Sequence, residues 1–196
     1  MIEKEAWAEK VILGIDPGTQ VMGYGVLLVR RDSRKRQAIE LLQYGVIHLA
    51  KYRQHELKLK KIFDRVLSLL DEYAPDEVAL EAPFYGKNVQ SMLKLGRAQG
   101  VAMAAALSRE IPITEYAPKK VKQSVTGNGN ASKEQVAHML KNMLKFPTEP
   151  TAEQQLLDAT DALAVALCHH YQKATPARQA KSWKAFVTDN PDRIKG

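Results

Sequence analysis

Cysteine is nearly absent from the chain: Cys168 is the only one in 196 residues, which excludes an internal disulfide and any cysteine-rich metal knuckle. Histidine is also sparse, with five residues and no cluster at metal-ligand spacing. No segment approaches the roughly 18 consecutive apolar residues that span a bilayer. The stretch from Met1 to Lys10 carries Glu3, Lys4, Glu5, Glu9 and Lys10 around Trp7 and lacks the apolar centre of a signal peptide. Internal repeats and low-complexity tracts are missing too. Together these absences argue against a disulfide-stapled secreted domain, a thiolate zinc module and a membrane-spanning helix, and the expected compartment is the cytoplasm.

What is present is ordinary for a soluble domain: 45% hydrophobic and 26% charged residues, enough chain for one full core. The expected organisation is an extension over 1–10, one domain over 11–172 and a basic tail over 173–196, where periodicity is lost and lysines and arginines outnumber acids. The net charge of +7 favours an acidic partner, because clustered Lys and Arg on fixed phosphates release counterions.

The most informative stretch is Val11-Ile12-Leu13-Gly14-Ile15-Asp16-Pro17-Gly18-Thr19. An apolar, β-branched run closed by Pro-Gly reads as a strand buried on both faces, and Asp16 stands at its end, where the rim of a sheet collects catalytic and metal-binding groups. A turn-initiating Asp would look the same in isolation. Gly23 to Val29 predicts a second strand paired back as a hairpin, and about Ile39 to Leu49 a third, making a meander. Apolar residues from Leu57 to Leu70 recur at helical spacing, so a helix is expected over Gln54 to Tyr73, with Pro75 just beyond. Val78-Ala79-Leu80-Glu81 then repeats the pattern of Asp16, a buried-looking strand ending in an acid before Pro83.

The following loop, Pro83 to Asn88, combines Phe84, Tyr85, Gly86 and Lys87. Its aromatics suit stacking on unpaired bases, or packing on the next helix. That helix is expected over Val89 to Arg109, and Gly96, Gly100 and Ala104 form a small-residue stripe fit for close helix packing within the subunit or across a dimer. Pro112 to Ala117 reads as a fifth strand. Lys119, Lys120 and Lys122 open a segment leading into a turn-rich loop, Val125 to Ala131, and Ser132 caps a helix that runs to about Leu144. Lysines beside a helix start suit phosphate oxygens, and equally an ordinary solvated connection. The last helix, about Ala152 to Tyr171, places Asp158 and Asp161 on one face of an otherwise apolar, small-residue run. A buried carboxylate there is costly unless it is paired or binds a cation.

Four carboxylates without sulfur or imidazole partners suit hard cations, Mg²⁺ or Mn²⁺, and the natural chemistry is phosphodiester cleavage with two ions about 3.5–4 Å apart. The segments Gly14-Ile15-Asp16-Pro17-Gly18-Thr19, Leu80-Glu81-Ala82-Pro83-Phe84-Tyr85, Lys94-Leu95-Gly96-Arg97-Ala98, Val121-Lys122-Gln123 with Gly127-Asn128-Gly129, and Asp158-Ala159-Thr160-Asp161-Ala162-Leu163 occur in the order and spacing of a known family. On these motifs the chain, from about Val11 to Tyr171, resembles the RuvC family of bacterial Holliday-junction resolvases. The resemblance implies an α/β, ribonuclease-H-like fold with a mixed five-stranded sheet whose first three strands are antiparallel. It implies a homodimer that nicks a four-way DNA junction symmetrically in recombination and repair, with RuvA and RuvB as partners. By the same matching, Asp16, Glu81, Asp158 and Asp161 are the metal-binding catalytic acids, Phe84 is the base-stacking aromatic, and Lys122 and Lys133 lie near the cleaved phosphate. Asn130 stands where many relatives carry a basic residue, which removes that DNA contact from the expectation.

Three other readings use the same features. A pre-ribosomal-RNA nuclease also opens with a strand, an Asp and a Gly-Thr turn, but is typically shorter and lacks the Phe84-Tyr85 loop and long helix. A non-cleaving junction binder has no use for converging negative charge on a phosphate-binding surface. An actin-type kinase needs a second phosphate loop and about twice the length.

Overall fold

A computed structural model of the chain describes residues 8–31, 37–83, 88–146 and 153–174, with the backbone alone for 153–156 and 174. Strands β1 (Ala8–Asp16), β2 (Val21–Arg31) and β3 (Gln37–His48) form the expected antiparallel meander. Strands β4 (Glu77–Glu81) and β5 (Ile113–Tyr116) add in parallel on the other side of β1, giving the order β3-β2-β1-β4-β5. The mixed five-stranded sheet is therefore as expected, with β1 at its centre.

Helices cover both faces. Alternation along β1 and β4 sends Leu13, Ile15, Val78 and Leu80 into one core with α1 (His55–Tyr73) and α2 (Val89–Leu107). Ile12 and Ala79 point the opposite way, into a core with α3 (Pro118–Thr126), α4 (Lys133–Met143) and α5 (Glu153–Ala174). Helix α1 ends at Ala74, whose φ of 42° and N–H bond to Leu70 O turn the chain before Pro75. Helix α4 opens with the capping box that Ser132 promised: its hydroxyl accepts from Gln135 N, and Gln135 Oε1 accepts from Ser132 N.

Several boundaries differ from expectation. Strand β1 starts at Ala8, inside the predicted extension, because Ala8 to Lys10 pair with Val29 to Arg31 of β2. Residues 1–7, and 175–196 of the predicted tail, lie outside the described residues, and α5 continues through Ala174. Helix α3 replaces what reads in the sequence as a lysine-led connection and loop. Pro118 at its first turn, Val121 and Val125 one turn apart on the core side, and Gly127 at φ 76° as its left-handed stop are its sequence signals.

Helix α5 packs unusually close on the strands beneath it. A Cβ at Gly14 would stand 2.1 Å from Ala162 O and 2.8 Å from Ala166 N, and one at Gly23 would stand 2.1 Å from Asp158 O. Gly25 makes room instead for the Leu163 side chain, whose Cδ2 would stand 2.4 Å from a Cβ there. Gly14 and Gly23 form a saddle on which the helix backbone itself rests, with carbonyl oxygens as the nearest atoms and no side-chain end there to yield. Gly14→Ala is therefore expected to cost about 3 kcal/mol, the upper range for overpacking a core, read as a fall in the urea midpoint. An unchanged midpoint would show that α5 has room to rise off the sheet.

Candidate active site

Three elements deliver the four acids to one rim. Asp16 ends β1, Glu81 ends β4, and Asp158 and Asp161 lie one turn apart on α5. The saddle brings them together: Gly23 is the register partner of Asp16, and Asp158 O rests directly over it. Thr160, between the two helix acids, points away from them into the core, with its hydroxyl donating to Leu157 O at 2.7 Å.

The rim is charged unfavourably as it stands. Burial first, then the charges of Glu81, Asp161 and Asp158, hold the Asp16 carboxyl well above its usual range, against a smaller lowering by Lys133. Burial and Asp161 push Glu81 up to about 7, although Lys133 and Lys122 pull it down. Burial also raises Asp161, opposed by its hydrogen bond to Lys133 and increased by Asp158. Lys133, the first residue of α4, inserts its ammonium into this group: Nζ lies 2.5 Å from Asp161 Oδ2 and 3.6 Å from Asp158 Oδ1. Burial works against the Lys133 charge, but the bond to Asp161 and the charges of Asp161, Asp16 and Asp158 leave its pKa raised overall.

Among the described residues, no three carboxyl, imidazole or thiol groups are drawn together tightly enough to hold an ion in this arrangement. The donor set nevertheless fits a hard divalent cation. Every donor is a carboxylate oxygen, the acids repel one another, and the cation that now relieves them is a lysine ammonium on a flexible stem.

Of the residues expected to touch DNA, Lys133 and Lys122 lie at the acids, Lys122 from α3 acting on both Glu81 and Asp161. Lys119, one turn earlier on α3, is exposed, and its backbone packs beside Gly129 in the α3–α4 loop. Phe84, Tyr85 and Lys87 lie outside the described residues. The loop that carries them leaves β4 just beyond Glu81 and rejoins the fold at Asn88, whose side chain accepts from Ser91 N to cap α2. The structure adds Gly14, Gly23 and Gly25 to the functional set, which the sequence shows only as glycines in apolar strands.

A family model for crossover junction endodeoxyribonuclease RuvC matches residues 12–169. A crossover junction endodeoxyribonuclease RuvC of Cytophaga hutchinsonii is 58% identical over 187 residues, covering 95% of this chain and 89% of the relative. Another, from Bacteroides fragilis, is also 58% identical, with 95% and 97% covered. Among solved structures, Thermus thermophilus RuvC in complex with a Holliday junction substrate superposes with a TM-score of 0.72 at 32% identity, covering 84% of this chain and 94% of that one.

A carboxyl whose pKa is raised by folding destabilises the fold when ionised, so removing its charge stabilises the metal-free protein. Asp16→Asn is expected to melt higher than wild type in chelator at pH 8, by about 2–4 °C per kcal/mol of repulsion relieved. The gap should close as the pH falls and Asp16 takes up its proton, and it should also shrink when Mg²⁺ is added to the wild type. Equal melting of the two proteins at pH 8 without metal would mean that the Asp16 charge is already compensated.

Proposed function

The chain belongs to the crossover junction endodeoxyribonuclease RuvC family, and from that premise we propose that it resolves four-way (Holliday) DNA junctions by paired symmetric nicks in homologous recombination and repair. The observation that carries the reading is the meeting of Asp16, Glu81, Asp158 and Asp161, from three separate elements, at a rim where Lys122 and Lys133 supply positive charge. Mutually repelling acids beside lysines are a poor phosphate binder without metal and a good one with it.

Two Mg²⁺ ions, or Mn²⁺, held by these four acids would supply an activated water and stabilise the departing oxygen of the phosphodiester. The chain's own residues do the rest. Asp16 and Glu81 stand on rigid strand ends and fix one side of the site, while α5 fixes the other through Asp158 and Asp161. Lys133, paired with Asp161 and Asp158 in this structure, would be available to hold a phosphate oxygen wherever a divalent ion took over its place among the acids, with Lys122 beside it. On the family's motif, Phe84 and Tyr85 are assigned to stack on bases left unpaired at the crossover, and Lys87 to meet the DNA backbone. Lys119 extends the basic track along α3. The cytoplasm suits both the DNA substrate and the single thiol, and RuvA and RuvB are assigned as partners on family membership.

A second copy of the chain completes the unit. Val89, Leu93 and Leu107 on α2 are 68%, 52% and 60% exposed, and Gly96 and Gly100 between them have no atom within 4 Å of an added Cβ. The small-residue stripe therefore faces outward rather than packing within the subunit. An exposed apolar helix face with small residues along its centre fits a like helix, and a symmetric homodimer places two sites on the two strands of a junction.

The deciding measurement is cleavage of a labelled mobile four-way junction beside linear duplex of the same sequence, with Mg²⁺ and with chelator. Paired, metal-dependent nicks confined to the junction are expected, with a loss of at least about 10³-fold and retained junction binding in Asp16→Asn. Binding without cleavage by the wild type would make the protein a non-catalytic binder, and indifference to junction structure would point to an RNA-processing nuclease. For the dimer, Leu93→Arg is expected to sediment as a monomer with nearly unchanged melting and to convert paired nicks into single ones. A Leu93→Arg protein that remains dimeric would move the interface away from α2.

A further inference from the structure

At the end of the sheet opposite the acids, β4 begins with a second buried carboxylate. The Glu77 side chain is 12% exposed. Its Oε2 accepts from Lys10 Nζ at 2.5 Å and from His169 Nε2 at 2.5 Å, and its Oε1 accepts from Lys173 Nζ. His169 is 1% exposed, and its Nδ1 meets the Tyr116 hydroxyl at 2.9 Å, which sets the imidazole to donate toward Glu77. Beside this group Asp76 Oδ2 accepts from Val11 N at 2.7 Å, and Asp76 N donates to Val11 O. One carboxylate thus ties β1 (Lys10), β4 (Glu77) and α5 (His169, Lys173), and β5 joins through Tyr116.

These are the same three elements that carry the four acids. Lys10 and Asp16 lie on one face of β1, Glu77 and Glu81 on the same face of β4, and α5 crosses both. Between the two ends the contact is apolar, with no ion pair among the described residues of its core. Alanines 162 and 166 lie on Gly14, and leucines and small side chains fill the rest. Apolar burial of that kind is strong but not directional, so it resists a rise of α5 off the sheet far better than a slide along it. A slide of one residue would move Asp158 and Asp161 by about 1.5 Å along the helix axis. The hydrogen bond between the buried His169 ring and Glu77 is directional and would be lengthened by such a slide, and the Lys10 and Lys173 ammoniums reinforce it.

We propose that Glu77, held by Lys10, His169 and Lys173, is a positioning residue that sets where α5 lies along β1 and β4, and through it the spacing of Asp158 and Asp161 from Asp16 and Glu81. The tie acts from roughly 13 Å away, four strand residues from Glu81, and touches neither DNA nor metal. This rests on the reading of the four acids as a metal site.

The test is direct Mn²⁺ titration by calorimetry, together with the Mg²⁺ dependence of junction cleavage, for wild type, Glu77→Gln, Lys173→Gln and Leu69→Ala. Leu69→Ala destabilises the α1 side of the sheet without touching α5, and Lys173→Gln removes one half-exposed arm of the tie while leaving Lys10 and His169 on Glu77. Glu77→Gln is expected to weaken Mn²⁺ binding about tenfold and to raise half-saturating Mg²⁺ equally, with the cleavage rate largely recovered at saturating metal and junction binding unchanged. Lys173→Gln should shift both in the same direction, about threefold, whereas Leu69→Ala should lower the melting temperature and leave metal affinity within twofold. Metal affinities of Glu77→Gln and Lys173→Gln within twofold of wild type would overturn the proposal, and if Glu77→Gln fails to fold, Lys173→Gln decides alone. A wild type that binds no Mn²⁺ would overturn the metal-site reading instead, a result that none of the variants could mimic.

Discussion

The close seat of α5 on the glycines of β1 and β2 is the constraint on which the rest of the molecule depends. Helix backbone normally stays off a sheet by the thickness of two layers of side chains, about 10 Å. Here Gly14 and Gly23 remove the strand's layer, and Ala162 and Ala166 thin the helix's, so carbonyl oxygens of α5 stand where strand Cβ atoms would otherwise be. Gly23 is also the register partner of Asp16, so the close approach occurs beside the strand's terminal acid. Without that descent, the helix acids and the strand acids would belong to two different surfaces.

The electrostatics of β4 show how strongly surroundings decide what a carboxylate does. Glu77 and Glu81 stand four residues apart on one face of one strand. Burial raises both, yet Glu77, with hydrogen bonds from Lys10, Lys173 and His169, is brought down to about 2, whereas Glu81, facing Asp161, is carried up to about 7. The first is a tie ionised at neutral pH whose contribution to stability is present above pH 4.5 and lost as the pH falls toward 2. The second belongs to a group whose charges oppose the fold until a cation joins them. One strand thus carries a compensated carboxylate at one end and a repelled one at the other, and repelled charge is expected where a site is built for a ligand.

Lys133 links these two roles. As the first residue of α4 it is fixed in place by the Ser132 capping box, and its long stem lets the ammonium reach Asp161 and Asp158 from outside the sheet. A guanidinium in that position would form a planar, two-point bond with Asp161 and leave it reluctantly; an ammonium makes a point contact and gives way more readily to a divalent ion.

Local pattern determined much of this protein. The unbroken apolar runs before Asp16 and Glu81, the helical spacing of the α1 face, the Ser132 cap and the three-residue interval of Asp158 and Asp161 are all properties of neighbouring residues, because strand and helix periodicities are set by the backbone itself. From these came the elements, the meander of the first three strands and the four acids as candidates, while the mixed five-stranded sheet was an expectation from the family resemblance. Helix α3 was also written locally, in Pro118, the Val121–Val125 pair and Gly127, but its lysines and its short length disguised it as a connection. What only the tertiary structure decided are relations between residues far apart in the chain: that Gly14 and Gly23 lie under α5, that Lys133 enters the acid group, that the stripe on α2 faces outward, and that Glu77 meets Lys10, His169 and Lys173. A glycine in a strand, a lysine at a helix start and a glutamate at a strand start look alike whatever faces them. Their meaning depends on which surface is brought within about 4 Å, and that is set by packing across the sheet, which no local spacing records.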